Sequence, residues 1–107
     1  MKWDDYPHLH GRIGRLYVED DYLWCQNSNA KNAEENACSW KDDGVCELCL
    51  LGAVYKVYHG TSHWPNVCAY LSQIFNTAFW EGSLLTWNDV DGRTYQDVLF
   101  FLDRHKL

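Results

Sequence analysis

The side chains best suited to chemistry in this chain are its five cysteines, which are unevenly spaced. Four thiolates can close a tetrahedral zinc site. The zinc hypothesis uses four of them: Cys25, Cys38, Cys46 and Cys49. Strong zinc signatures contain two closely spaced pairs, whereas Cys46 and Cys49 form a single C-x-x-C pair here. Structural thiols in the core are the other interpretation, so no cofactor is predicted and zinc is the one candidate.

Three of these cysteines (Cys25, Cys46 and Cys49) are also candidates for a redox or a nucleophilic site. A C-x-x-C pair at a helix start can be redox-active because the helix dipole lowers a thiol pKa, but the strand–helix–strand context of such sites is missing. Cys25 or Cys49, with a histidine and with Asn88 or Asp89, matches a Cys–His–Asn arrangement in residue type. No oxyanion-hole motif accompanies them. The sequence therefore favours a protein without catalytic function, and a cysteine-dependent enzyme is an alternative.

A polar turn near the carboxyl end is the third place where suitable side chains gather. Asn88 and Asp89 can bond to the backbone that follows them, and Asp91-Gly92 supplies a second bend. We expect Arg93 to pair with one of the turn's aspartates and to lock the turn. The acceptor side chains also resemble a cation loop, but the Glu that completes an EF-hand is absent. Thr94, a natural N-cap with an acid three residues later, then starts a helix.

These candidates need elements to position them, and the spacing of apolar residues predicts four helices in a compact, largely antiparallel bundle. The predicted helices span about residues 11–25, 45–58, 64–78 and 94–105. A buried strand competes within the second, which is the most apolar part of the chain, but the length of the run favours a helix. Pro65 marks the start of the third, where its missing N–H costs nothing. The predicted fold class is therefore mainly α.

The remaining residues are predicted to be connecting segments of a single domain, 1–107. Residues 1–10 form a lead segment, and residues 27–44 form a long polar excursion between the first two helices. A structureless loop of that length is unusual in a small domain. Because Ala, Lys and Glu favour helix, we expect a short helix at Ala30–Ser39, although the asparagines weaken it.

The charge distribution indicates which classes of partner the protein can bind. The formal net charge is −6, and residues 1–49 contain ten acidic against five basic side chains. Without a basic stripe we expect no direct binding of nucleic acid, whereas an acidic surface suits a basic, nucleic-acid-binding protein. No apolar run reaches the roughly 18 residues of a membrane span, and the first residues lack the apolar stretch of a secretion signal. We therefore expect no membrane contact and a cytoplasmic location.

Three short motifs, in order, carry a family resemblance. They are Trp24-Cys25-Gln26, Cys49-Leu50-Leu51-Gly52-Ala53, and Trp87-Asn88-Asp89 followed by Gly92-Arg93-Thr94. Together they resemble the domain of unknown function numbered 6197, found in actinobacterial and phage genomes, over about residues 11–105. Asn27 stands where that family usually has Gly, and Cys38 and Cys46 have no counterpart in its pattern. The resemblance implies a small helical protein from a phage or mobile element and brings no activity, cofactor or catalytic residue with it.

We therefore expect a small, acidic, phage-encoded interaction protein that binds a host macromolecular complex in a bacterial cytoplasm and modulates or inhibits it, in defence or transcription. The chain contains six Trp and seven Tyr, which interfaces favour as anchors. An exposed patch of Trp and Tyr beside aspartates would support this function, whereas scattered, buried aromatics would weaken it. The alternative is a metal or small-ligand site around Cys25, Cys49, Asn88 and Asp89.

Overall fold

The computed structural model describes residues 2–107, in which helices pack around a small sheet. Over these residues the chain forms five α-helices and three strands, preceded by two 3-10 turns at Trp3–Asp5 and Pro7–Leu9. The helices are α1 (Arg12–Val18), α2 (Leu50–Tyr58), α3 (Trp64–Phe75), α4 (Trp80–Asp89) and α5 (Tyr95–Arg104). The strands are β1 (Leu23–Trp24), β2 (Ala30–Asn32) and β3 (Val45–Leu48). None of the helices within residues 2–107 is long and apolar enough to cross a membrane.

The sheet makes this an α+β fold, so the predicted mainly α bundle of about four helices is wrong. β3 lies at the centre of the strand order β1-β3-β2, parallel to β1 and antiparallel to β2. The apolar run at 45–58 is divided at Cys49, whose extended backbone (φ −74°, ψ 172°) separates β3 from α2. Periodicity alone does not distinguish a short buried strand from part of a helix. Residues 45–48 form a strand because they pair with β1 and β2.

The polar excursion at 27–44 contains β2 and turns in place of the predicted short helix. The Asn32 side chain accepts hydrogen bonds from the backbone N–H groups of Glu34 and Asn36, both at 3.0 Å. Glu35 lies between them with a left-handed backbone (φ 65°). Side-chain bonds of this kind compete with the helical ladder. The asparagine therefore overrides the helix preference of the Ala and Glu residues around it.

α1 is shorter than the sequence predicts, and α4 is a helix that the sequence does not predict. α1 ends at Val18 rather than near residue 25, because three successive acids follow, which the negative end of a helix dipole disfavours. Asp21 then redirects the chain with a φ of 64°. α4 continues through Asp89, so residues 87–89, predicted as a turn, form its last turn. The predicted starts of α3 at Trp64-Pro65 and of α5 after Thr94 are confirmed.

One core joins the sheet to the helices, with α2 at its centre. α2 packs against α1, α4 and β3, and the buried Tyr58 at its end donates a hydrogen bond to the Leu9 carbonyl at 3.0 Å. The lead segment belongs to this core, because Trp3 is buried and its Nε1 donates to the Lys106 carbonyl at 3.0 Å. The ring of Trp40 lies 5.9 Å from that of Tyr55 on α2, an attachment for the excursion.

Candidate functional site

The three motif segments, far apart in sequence, meet at the side chain of Asn88, which is fully buried. Its Oδ1 accepts hydrogen bonds from Trp24 Nε1 at 2.7 Å and from the Leu50 backbone N–H at 3.0 Å. Its Nδ2 donates to the Cys25 carbonyl at 3.1 Å and to Asp89 Oδ1 at 2.9 Å. These bonds use both donors and both acceptor directions of the amide. Asn88 therefore ties the region of β1 and the start of α2 to the end of α4.

A second set of bonds attaches residues 26 and 27 to the carboxyl end of α4. Gln26 Nε2 donates to the carbonyls of Asn88 and Val90, both at 3.0 Å. The last carbonyls of a helix have no partner within it, so Gln26 acts as a cap for α4. Asp89 Oδ1 accepts from the Asn27 backbone N–H at 3.0 Å. Asn27 has a left-handed backbone (φ 66°), which Gly adopts most readily and Asn tolerates.

The second motif brings α2 against the backbone of Asn29. Cys49 is the N-cap of α2, and its Sγ accepts a hydrogen bond from the Gly52 N–H at 3.4 Å. The Cys49 N–H donates to the Asn29 carbonyl at 3.0 Å. A Cβ on Gly52 would lie under 3.0 Å from that carbonyl oxygen and 3.4 Å from Leu48 Cδ2. The close approach of the excursion to α2 therefore requires glycine at position 52.

Arg93 holds the turn between α4 and α5 in a way that the sequence does not predict. Its Nε donates to the Trp87 carbonyl at 2.9 Å, and its guanidinium carbon lies 3.9 Å from the centre of the Trp87 ring. The predicted pairing of Arg93 with a turn aspartate is wrong, because the ion pair found within residues 2–107 joins Lys106 to Asp4. The predicted capping at Thr94 is confirmed, with both halves of a capping box formed to the acid three residues later.

The structure does not bring the four predicted zinc ligands together. Cys25 and Cys49 are buried near the Asn88 side chain, whereas Cys46 is exposed on β3 and Cys38 is half-buried in the excursion. In the part of the chain that the structure describes, no three Cys, His, Asp or Glu side chains are placed to hold a metal ion. The described residues therefore supply no ligand set for the zinc hypothesis.

Burial makes both interior thiols weak nucleophiles. It raises the pKa of Cys25 to about 12, and the neighbouring Cys49 adds to the rise. Burial also raises the pKa of Cys49, although the Gly52 N–H opposes it. Because the thiolate is the reactive and metal-binding form, both side chains are held as thiols at neutral pH. Their Sγ atoms donate to the Ser28 carbonyl and to Asn29 Oδ1, not to a histidine, so the Cys–His–Asn arrangement is not assembled.

The exposed patch of Trp and Tyr that would support the interaction function is not formed within residues 2–107, which weakens the argument from the aromatic content. All six Trp are buried or half-buried, and Tyr95 is the exposed tyrosine. The most exposed aromatic side chains are instead Phe79, at 83%, and Phe100, at 68%. The sequence reasoning missed both, although a signal for Phe100 was present. A helix that buries Val98, Phe101 and Leu102 turns residue 100 away from the core.

Phe79 and Phe100 border an open surface, mainly apolar at Phe79 and of mixed polarity at Phe100, which we call the α4–α5 groove. The groove consists of two adjoining hollows of about 650 Å³ and 420 Å³. Both hollows are lined by three shared residues: Phe75, Trp87 and Arg93. Phe79 and Val90 line the larger hollow, and Phe100 and Arg104 line the smaller one. The groove is therefore a distinct surface, separate from the buried bonds of Asn88.

Comparison with protein families identifies the class to which the chain belongs. Residues 12–105 match the family of unknown function DUF6197. The chain belongs to this family, and the predicted family is confirmed. No curated protein and no solved structure matches it. The family has no assigned activity.

Proposed function

We propose that this protein is a non-catalytic interaction protein whose docking surface is the α4–α5 groove. The observation that carries the proposal is the exposure of three large hydrophobic side chains around the groove: Phe79 at 83%, Phe100 at 68% and Val90 at 43%. Large apolar side chains that remain exposed together around a surface hollow are typical of an interaction site. The motif side chains that could take part in chemistry, in contrast, form buried hydrogen bonds that hold the fold together.

The Trp87 and Phe75 rings of the groove support this proposal because they pack on the buried core and are held in place by it. The Trp87 ring lies 4.5 Å from that of the buried Phe101, and the Phe75 ring lies 6.1 Å from it. A preformed surface loses little conformational entropy on binding. Burying one large apolar side chain contributes about 1.5–3 kcal/mol. Phe79 and Phe100 together therefore contribute about 3–6 kcal/mol to a complex that covers both.

We propose further that the protein is phage-encoded and that its partner belongs to a host complex in the bacterial cytoplasm, in defence or transcription, which it modulates or inhibits. The resemblance to a family found in phage genomes and the small size of the chain support this role. The excess of acids in residues 1–49 supports a second contact with a basic region, including that of a nucleic-acid-binding protein. That contact would lie outside the groove, whose lining includes Arg93 and Arg104.

Affinity capture from host cells with matched variants tests the interaction function. The tagged wild-type protein is compared with the double variant Phe79→Ser and Phe100→Ser. The control is Val18→Ser and Leu23→Ser, which removes hydrophobic side chains of similar exposure, 66% and 62%, outside the groove. We expect a host protein that the wild type and the control retain and the groove variant loses by about tenfold or more. Recovery of the same proteins by all three would contradict the proposal.

A further inference from the structure

The guanidinium of Arg93 is prepared to receive a carboxylate. It lies 3.9 Å from the centre of the Trp87 ring, and its Nε is bonded to the Trp87 carbonyl at 2.9 Å. These two contacts fix the plane of the group. The hydrogen bonds and ion pairs of residues 2–107 do not use its two terminal nitrogens. A planar arginine with parallel N–H groups available matches the two oxygens of a carboxylate.

The position of Arg93 indicates which side chains must flank that carboxylate in a bound segment. Because Arg93 lines both hollows, it lies where they adjoin. One hollow carries Phe79 and Val90, and the other carries Phe100. A segment that placed a carboxylate on Arg93 would therefore present one side chain to each hollow. Large apolar side chains suit both, since each hollow is walled by aromatic rings.

The charged side chains that line the groove give it a net positive charge, whereas the whole protein has a net charge of −6. Arg104 is exposed and adds a second positive charge. Asp97 is the acid of the lining; its carboxylate accepts the Thr94 N–H at 3.0 Å, and Arg93 adds to the lowering of its pKa by Thr94, so this carboxylate offsets part of the Arg93 charge. Burial lowers the pKa of His105, which keeps this ring neutral at physiological pH. Two arginines against one bonded aspartate favour an acidic occupant.

We propose that the α4–α5 groove binds an acidic segment of a partner protein, with an Asp or Glu carboxylate on Arg93 and a large apolar side chain in each hollow. This inference rests on the proposed interaction function and names the chemistry of its partner. Arg104 adds long-range attraction at the edge of the smaller hollow.

Selection from a displayed library of random peptides tests the chemistry of the occupant without assuming its sequence. Peptides are selected on the wild-type protein, and those that also bind the variant Phe79→Ser, Phe100→Ser are removed. We expect the survivors to share an Asp or Glu between two large apolar residues. Survivors that are basic or lack the acid would overturn the inference while leaving the interaction function standing. An empty selection would also overturn it, and host capture remains the separate test of the function.

A double-mutant cycle on the best survivor tests the role of Arg93. Arg93→Lys keeps the charge but loses the planar fork, and we expect it to weaken binding about tenfold. Replacing the peptide's acid by its amide should cause a similar loss on the wild type and a clearly smaller loss on Arg93→Lys, whose ammonium still attracts the carboxylate. Arg104→Gln should weaken binding about threefold, and the exposed control Arg15→Gln should not change it. Additive losses would overturn the inference, and the peptide substitution keeps the test valid if Arg93→Lys is unstable.

Sedimentation of the protein alone tests a second copy as the occupant. Val18 and Leu23, both exposed, flank three acids in the chain's own sequence, so this segment has the composition that the groove favours. We expect the wild type to remain monomeric over the concentrations used for peptide binding. Self-association that Asp20→Asn and the groove variant Phe79→Ser, Phe100→Ser both abolish would assign the groove to a second copy and overturn the partner inference.

Discussion

Replacing Gly52 by alanine tests the close approach on which the buried network depends. The added Cβ would lie under 3.0 Å from the Asn29 carbonyl oxygen, 3.3 Å from its carbonyl carbon and 3.4 Å from Leu48 Cδ2. The same oxygen accepts the Cys49 N–H at 3.0 Å, so it cannot withdraw without losing that bond. Either α2 or the excursion must therefore move, and each movement disturbs the contacts that converge on Asn88.

Three effects set the size of the change in the free energy of unfolding. Overpacking costs about 1–3 kcal/mol, and a buried backbone group left without its partner costs about 1–3 kcal/mol. Alanine is better than glycine inside a helix by about 1 kcal/mol, which opposes the other two. Central values give a net destabilisation of about 3 kcal/mol. A loss of this size lowers the melting temperature of a domain this small by roughly 12–24 °C.

Urea unfolding followed by tryptophan fluorescence measures this change. Gly14→Ala in α1 is the matched control, because a Cβ there meets nothing within 4 Å. The control should stabilise the protein by about 0.5–1 kcal/mol, through helix preference and a less flexible unfolded chain. If Gly52→Ala proves as stable as Gly14→Ala, the close approach is absent and the role given to the second motif is refuted.

Asn88→Ala should lower the free energy of unfolding by about 3–5 kcal/mol, because it leaves several buried groups without partners, and a loss under about 1 kcal/mol in urea would contradict the network. Thr94→Ala should cost about 1 kcal/mol through the lost N-cap, read from the same unfolding curve, and no loss would argue against the cap. Backbone and side-chain hydrogen bonds from Thr94 lower the pKa of Asp97. Its stabilising effect is therefore present above the unfolded pKa of about 3.9 and is lost as the pH falls through the lower folded value. Asp97→Asn should flatten this acid-side decline in a pH series of melting temperatures, and an unchanged slope would count against it. In thiol labelling at neutral pH the exposed Cys46 should react rapidly, and Cys25 only after unfolding, because burial raises the pKa of Cys25 to about 12. Equal labelling rates in the folded protein would show that Cys25 is accessible.

Helix starts could be predicted from the sequence because their causes are local. The hydroxyl of Thr94 and the acid three residues later satisfy N–H groups within one turn, and Pro65 fits the first turn of α3 whatever the rest of the chain does. α4 and its end are not predicted from the sequence, for the opposite reason. Gln26, which lies 62 residues before Asn88, caps the carbonyls at the end of α4. A cap that is so distant in the sequence cannot be predicted from a local pattern.

The strands could not be predicted, because each is too short to be stable or recognisable by itself. β1 has two residues and β2 has three, and both exist through pairing with β3. The position of β3 depends in turn on Cys49, where the chain turns from strand to helix. In the apolar run 45–58 both interpretations were open, and long-range hydrogen bonds decided between them.

The sequence by itself determined the family, the chain's three motifs and the capped start of α5, but not the exposed Phe79 and Phe100. The tertiary structure alone decided what the motif residues do. Asn88 is a turn residue by type, yet its amide is buried where two distant segments, at Trp24-Cys25 and at Leu50, leave N–H and carbonyl groups that need partners. Cys25 is a potential nucleophile by type, yet burial keeps its proton in place. Burial, pKa and hydrogen-bond partners are properties of the neighbours that folding brings together, and a linear chain does not contain them.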